Sequence, residues 1–169
     1  MATPFEDLRV LRAAESIADD VWRQIVRWDE FARDVVGRQL ARAADSIGAN
    51  IAEAYGRFHY GEKIQFLYYA RGSLFEAKYW LNRALARNLM PPSEVQDYAS
   101  RLTDLARQLN AFADNVKSQR RHDRQQPQGL REASVAYATI SDEITEDLFS
   151  PADLEWLQSV PTEAALTDL

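Results

Sequence analysis

Cysteine is absent from the 169 residues. No disulfide and no thiolate metal site can therefore form, which fits a reducing compartment. Histidine occurs only as His59 and His122, too few for a histidine-based metal centre. Long apolar runs are also missing, and nothing approaches the roughly 20 residues needed to cross a bilayer. No membrane partner is expected. The opening Met1-Ala2-Thr3-Pro4-Phe5-Glu6-Asp7 has no basic region and no apolar run, so a signal peptide is not expected and a cytoplasmic location is. No P-loop, dinucleotide fingerprint or nucleophile elbow is present. Neither histidine follows a glutamate by three residues, the spacing that a di-iron carboxylate bundle uses. The expectation is a protein without enzymatic activity, metal or cofactor.

What is present is unevenly charged. Residues 1–118 hold 16 Lys/Arg and 16 Asp/Glu, residues 119–130 hold three Arg and one Asp, and residues 131–169 hold one Arg and nine Asp/Glu. A neutral body is followed by a basic joint and an acidic tail. The low sequence pI of about 5.0 speaks against nucleic-acid binding by the whole chain, though not by a patch on its body.

The apolar residues repeat at helical spacing. Thr3, Pro4 and Glu6 make a helix start with a capping box. Leu8, Leu11, Ala14, Ala18, Val21, Ile25 and Trp28 then recur every three or four residues, as one buried stripe does. The first turn is expected within Trp28–Gly37. A second helix over Arg38–Tyr55 carries the seam Leu40, Ala44, Ile47, Ile51 and Ala54. It also carries a close-packing stripe, Ala44, Gly48, Ala52 and Gly56, and small residues there admit a neighbouring backbone. A third helix, about Glu62 to Asn88, is set in register by Ile64, Leu67, Leu74, Leu81 and Leu85. Arg71 and Lys78 fall in that same register. Its aromatics Phe66, Tyr68, Tyr69, Phe75, Tyr79 and Trp80 spread around the circumference, which points to burial on more than one side and to a surface used by another subunit. After Pro91-Pro92, Val95, Tyr98, Leu102, Leu105, Leu109, Phe112 and Val116 give a regular heptad-like fourth helix.

Residues 119–134 read as a polar linker, and residues 135–169 as an acidic tail. The tail holds a strand or helix near Val135–Ile140 and a short helix near 151–159, started by Ser150-Pro151 and stopped by Pro161. These elements predict an all-α protein, an antiparallel up-down four-helix bundle over residues 1–118 with a C-terminal acidic extension.

The segment Ala43-Ala44-Asp45-Ser46-Ile47-Gly48-Ala49-Asn50-Ile51-Ala52-Glu53 resembles the signature of a bacterial four-helix-bundle family. That family was first noted in intervening sequences of large-subunit ribosomal RNA genes. Phe66-Leu67-Tyr68-Tyr69-Ala70-Arg71-Gly72-Ser73-Leu74-Phe75-Glu76 resembles its third helix, and Leu8-Arg9-Val10 its opening. The resemblance covers roughly residues 5–118. It implies an up-down bundle that assembles as a ring-like homopentamer. A related branch, the accessory variability determinant of diversity-generating retroelements, works with a reverse transcriptase and RNA.

Several constellations invite a functional reading. Asn50, Glu53 and Arg57 share one helix face, with Glu76 as a candidate partner from the third helix. They form either a polar contact site or a network that fixes helix register and assembly. Arg38, Arg42, Arg57, Lys63 and Arg71 are candidate RNA contacts, with nearby aromatics for stacking, although acidic residues are interleaved with them. Ser46 and Ser73 sit beside small residues and are expected to pack there. The tail offers Leu148, Phe149, Leu154, Trp156 and Leu157 as anchors for docking, either on its own bundle or on a separate protein. Two functions follow. One is a non-enzymatic, homopentameric scaffold or adaptor that recruits a protein partner through the tail. The other is an RNA-binding accessory of a reverse transcriptase.

Overall fold

The computed structural model describes residues 8–125 and 147–162. Among them, all regular structure is helical. Helix α1 (Arg9–Ile25) starts after an extended Leu8, with no side-chain cap. The Thr3-Pro4-Glu6 start lies outside the described residues, as does the Val135–Ile140 element.

The first turn is shorter than expected. Asp29 restarts the helix by accepting the Ala32 N–H at 3.0 Å, the usual role of an N-cap aspartate. From there α2 (Glu30–Ala32), a π-helical stretch (Arg33–Gly37) and α3 (Arg38–Gly56) run without a break. Gly37 is thus inside the helix rather than in a turn. A Cβ there would stand 3.3 Å from the Ile25 Cβ and 3.5 Å from the Trp28 ring, so glycine allows the close approach.

Helix α4 (Tyr60–Ala86) ends by a left-handed residue, Asn88, at φ 56°. The Leu89 N–H reaches back to the Ala84 carbonyl, the bond that closes a Schellman motif. Helix α5 (Pro92–Gln125) opens on proline, whose missing N–H costs nothing at a first turn. It continues past Ser118, where composition placed a linker. Residues 118–125 are mostly Arg and Gln and contain no Gly or Pro, so nothing stops the helix before Pro127. At about 1.5 Å per residue, its 34 residues span roughly 50 Å. Helix α6 (Pro151–Gln158) is short and self-capped. Ser150 Oγ accepts the Asp153 N–H at 3.2 Å while Asp153 accepts the Ser150 N–H at 2.9 Å, a capping box.

The helices form a bundle in which α1 packs on α3 and α5, and α4 packs on the same two. The register residues line its centre: Ala14, Ile17 and Val21 from α1, Leu40, Ile47 and Ile51 from α3, Leu67, Leu74 and Leu81 from α4, and Leu102, Leu105 and Leu109 from α5 are all buried. Each such Leu or Ile side chain stabilises by about 1.5–3 kcal/mol through burial. Alanines Ala43, Ala54, Ala70, Ala77 and Ala84 are buried as well, and small side chains let α3 and α4 approach along most of their length. None of the helices described is long and apolar enough to cross a membrane.

Candidate functional site

Residues 147–162 form a strap that lies in a groove between α4 and α5. It runs antiparallel to α5, with Phe149 beside Asn110 and Gln158 beside Ser100. Its anchors come from the tail's apolar residues. Leu148, Phe149 and Leu157 are buried, Leu154 is half-buried, and Trp156 remains 41% exposed. The expectation left two hosts open for these residues, and the protein's own bundle is the one they occupy here.

The groove reads main chain as much as side chains. Asn110 donates from Nδ2 to the Phe149 carbonyl at 2.8 Å and accepts the Phe149 N–H at 2.7 Å. Lys78 Nζ donates to the Ser159 carbonyl, and Gln96 donates to the Gln158 carbonyl at 3.3 Å. Gln158 returns a bond to Ser100 Oγ at 3.0 Å. Aromatic contacts fill the space between. Phe75 stacks with Phe149 at 5.9 Å and with Trp156 at 5.2 Å between centroids. Arg71 lies 4.7 Å over the Phe75 ring and pairs with Asp153 at 3.0 Å.

The electrostatics explain two oddities of the α4 register. Arg71 and Lys78 stand where apolar residues were due because this side of α4 faces the strap rather than the bundle centre. Burial raises the Asp153 carboxyl, but the Ser150 N–H, the Arg71 guanidinium and the Ser150 hydroxyl outweigh it and hold the pKa below the usual range. Lys78 is wholly buried, and desolvation pulls its pKa from 10.5 down to about 8. Among the described residues, no ion pair compensates it.

The other candidates are placed less closely together. Asn50 donates to the Ser46 carbonyl at 2.8 Å and to Ser73 Oγ at 3.4 Å, and Ser73 donates to the Tyr69 carbonyl. This is the polar link from α3 to α4. Glu76 takes no part in it and is exposed, because Ser73 rather than Glu76 faces Asn50. Glu53 pairs with Arg57 one turn away, with both side chains well exposed, and Arg57 lies 4.6 Å over Phe66.

The small-residue stripe faces α1 only in part. Gly48 lies against Ala14 and Leu11, at 3.8 and 4.0 Å from its would-be Cβ. Ala44 is buried and Ala52 half-buried, while Gly56 is exposed with open space around it. A shallow cavity of about 360 Å³ beside Gly48 and Ala52 also contains Asp19 and Asp45. Desolvation, then the nearby Asp19, raise the Asp45 pKa.

Of the candidate RNA contacts, Arg38 pairs with Asp34, Arg57 with Glu53 and Arg71 with Asp153. Arg42 is exposed and Lys63 half-buried. Among the described residues, no group of three or more His, Cys, Asp or Glu is placed to hold a metal.

Asn110, Gln96 and Ser100 were not singled out in the sequence. Nothing in a heptad pattern marks a polar residue on the outer face of α5 as a receptor. Arg71 and Lys78 did carry a signal, as polar breaks in an apolar register. In comparison with known proteins, residues 6–111 match the family model described as 23S rRNA-intervening sequence protein. No curated protein matches the chain. The matched region contains the groove residues Arg71, Phe75, Lys78, Gln96, Ser100 and Asn110 and ends before the strap.

Proposed function

The chain belongs to the 23S rRNA-intervening sequence protein family, and from that premise we propose a non-enzymatic, homo-oligomeric helical scaffold that recruits a protein partner. The proposed architecture is an antiparallel up-down four-helix bundle assembled as a homopentamer, as the family resemblance implies. The ring of neighbours α1, α3, α4 and α5 and the short connections between α3, α4 and α5 support the up-down arrangement. We also propose a cytoplasmic setting, which the absence of cysteine supports.

One observation carries the assembly reading. With the strap in place, α4 still presents an exposed line at helical spacing: Tyr69, Gly72, Glu76 and Tyr79. Both tyrosines are 51% exposed, and a Cβ at Gly72 would meet nothing within 4 Å. Half-exposed tyrosines around a flat centre are a good surface for a second helix, since aromatics are enriched in interface cores. The alternative, an RNA-binding accessory of a reverse transcriptase, requires free cations on one surface. Arg38, Arg57 and Arg71 instead hold carboxylates.

Light scattering tests the reading. The expected mass is about five chains, and a monomer at micromolar concentration overturns it. Gly72→Arg has room within the protomer, so it should leave helicity intact and reduce the mass. An unchanged mass would move the interface elsewhere.

A further inference from the structure

The strap fills its groove as a ligand fills a receptor, yet leaves one groove cation, Lys78, without an anion among the described residues. The Lys78 ammonium is wholly buried and donates to a main-chain oxygen, that of Ser159. The Arg71 Nε is buried with no acceptor among the described residues. A buried cation is costly unless an anion compensates it. The strap is part of the same chain as its groove. Residues 126–146 separate it from α5 in sequence. Helix α5 carries the chain 15 residues past Asn110 before that connection starts, a projection of roughly 22 Å. A ligand carried on its receptor's own chain competes through its effective concentration and yields to a tighter one.

We propose that the α4–α5 groove is the docking site for the free C-terminal segment of a partner protein, whose terminal carboxylate pairs with Lys78, and that residues 147–160 are its built-in stand-in. The proposal rests on the reading of this protein as a recruiting scaffold. The oxygen bound by Lys78 belongs to the main chain, just past the last turn of α6. A chain that ends at that residue puts a carboxylate oxygen there with no change of backbone. The bond then becomes charge-assisted on both sides, which is the stronger kind.

The remaining contacts describe the partner. Asn110 takes both main-chain groups of the residue before the cap, whatever its side chain. An aromatic at that residue stacks on Phe75. An acidic third helical residue meets Arg71, and an apolar seventh takes the buried place of Leu157. The expected ligand is thus a short N-capped helix at a chain end, with an aromatic ahead of its cap.

Two fluorescein-labelled peptides of the sequence from Asp147 to Ser159 provide the test, one with a free carboxylate and one amidated. Anisotropy is measured against the full chain and against the full chain carrying Phe149→Ala, whose own strap competes less. The acid should bind about tenfold more tightly than the amide, and both should bind the Phe149→Ala chain more tightly than the unaltered one. Lys78→Met should remove the difference between acid and amide. Equal affinity of acid and amide for the unaltered chain overturns the proposal, and that comparison needs no change at the buried lysine. Light scattering on the same samples separates the two readings. An oligomer without acid preference sinks the groove assignment alone, while acid preference on a monomer sinks only the assembly.

Discussion

Helix α4 has two covered sides made of different materials. Toward α3 and the bundle centre it presents Leu67, Ala70, Leu74, Ala77 and Leu81, all buried. Toward the strap it presents Arg71, Phe75 and Lys78, which work through an ion pair, ring stacking and a bond to a carbonyl. The first side is held by area removed from water, a force without direction. The second adds aligned polar groups, each of small net worth, to the buried Leu148, Phe149 and Leu157 of the strap. A side built the first way tolerates exchange of one apolar residue for another of similar size. A side built the second way also demands that polar groups be aligned one by one.

The largest expected effect lies on the first side. Leu74→Ala should cost about 4 kcal/mol in urea unfolding, through lost transfer and a residual cavity. A cost below about 1 kcal/mol would mean that the centre of α4 is not tightly packed.

Next is Lys78. Its folded pKa of about 8 lies below its ordinary 10.5, so the unfolded chain holds more protons between those values. Stability therefore rises with pH across that window. Below pH 8 both states are charged and the full penalty applies, about 3 kcal/mol for such a shift. Unfolding between pH 7.5 and 9.5 should show a gain of about 2 kcal/mol, and Lys78→Met should flatten it. The range stops short of pH 10 because burial pushes Tyr98 up to about 12, which acts in the opposite direction above its ordinary value. A slope unchanged in Lys78→Met would assign the effect to another group.

Asn110→Ala should loosen the strap by about 1–2 kcal/mol while leaving the bundle intact. The readout is faster hydrogen exchange confined to residues 147–160. Global loss of protection would mean that the strap is part of the core. The smallest effect belongs to Glu53→Ala. Glu53 is exposed and its partner Arg57 is one turn away, so protomer stability should shift by no more than about 0.5 kcal/mol. Any larger loss would have to come through assembly, which the mass of the variant reports.

The bundle was legible because burial repeats. Leu102, Leu105 and Leu109 sit three and four apart and end fully buried, as do Leu67, Leu74 and Leu81, which sit seven apart. The first turn, expected within Trp28–Gly37, takes up only the start of that stretch, and Gly37 lies in the helix in close contact with Ile25 and Trp28. The linker was begun too early because polar composition does not end a helix when the residues are good helix formers. The link from Asn50 to Ser73 rather than to Glu76 depends on which side chains two helices turn toward each other, and spacing within one helix cannot supply that.

The sequence by itself determined the helical class, the identity of the buried registers and the family, because local periodicity and a contiguous signature carry all three. It also marked Arg71 and Lys78 as out of place. Only the tertiary structure decided why they are there. The strap meets residues some 80 positions away, Arg71 to Asp153 and Lys78 to Ser159. Closing so long a loop depends on groups that match only once both helices of the groove are assembled, and no local pattern encodes that match.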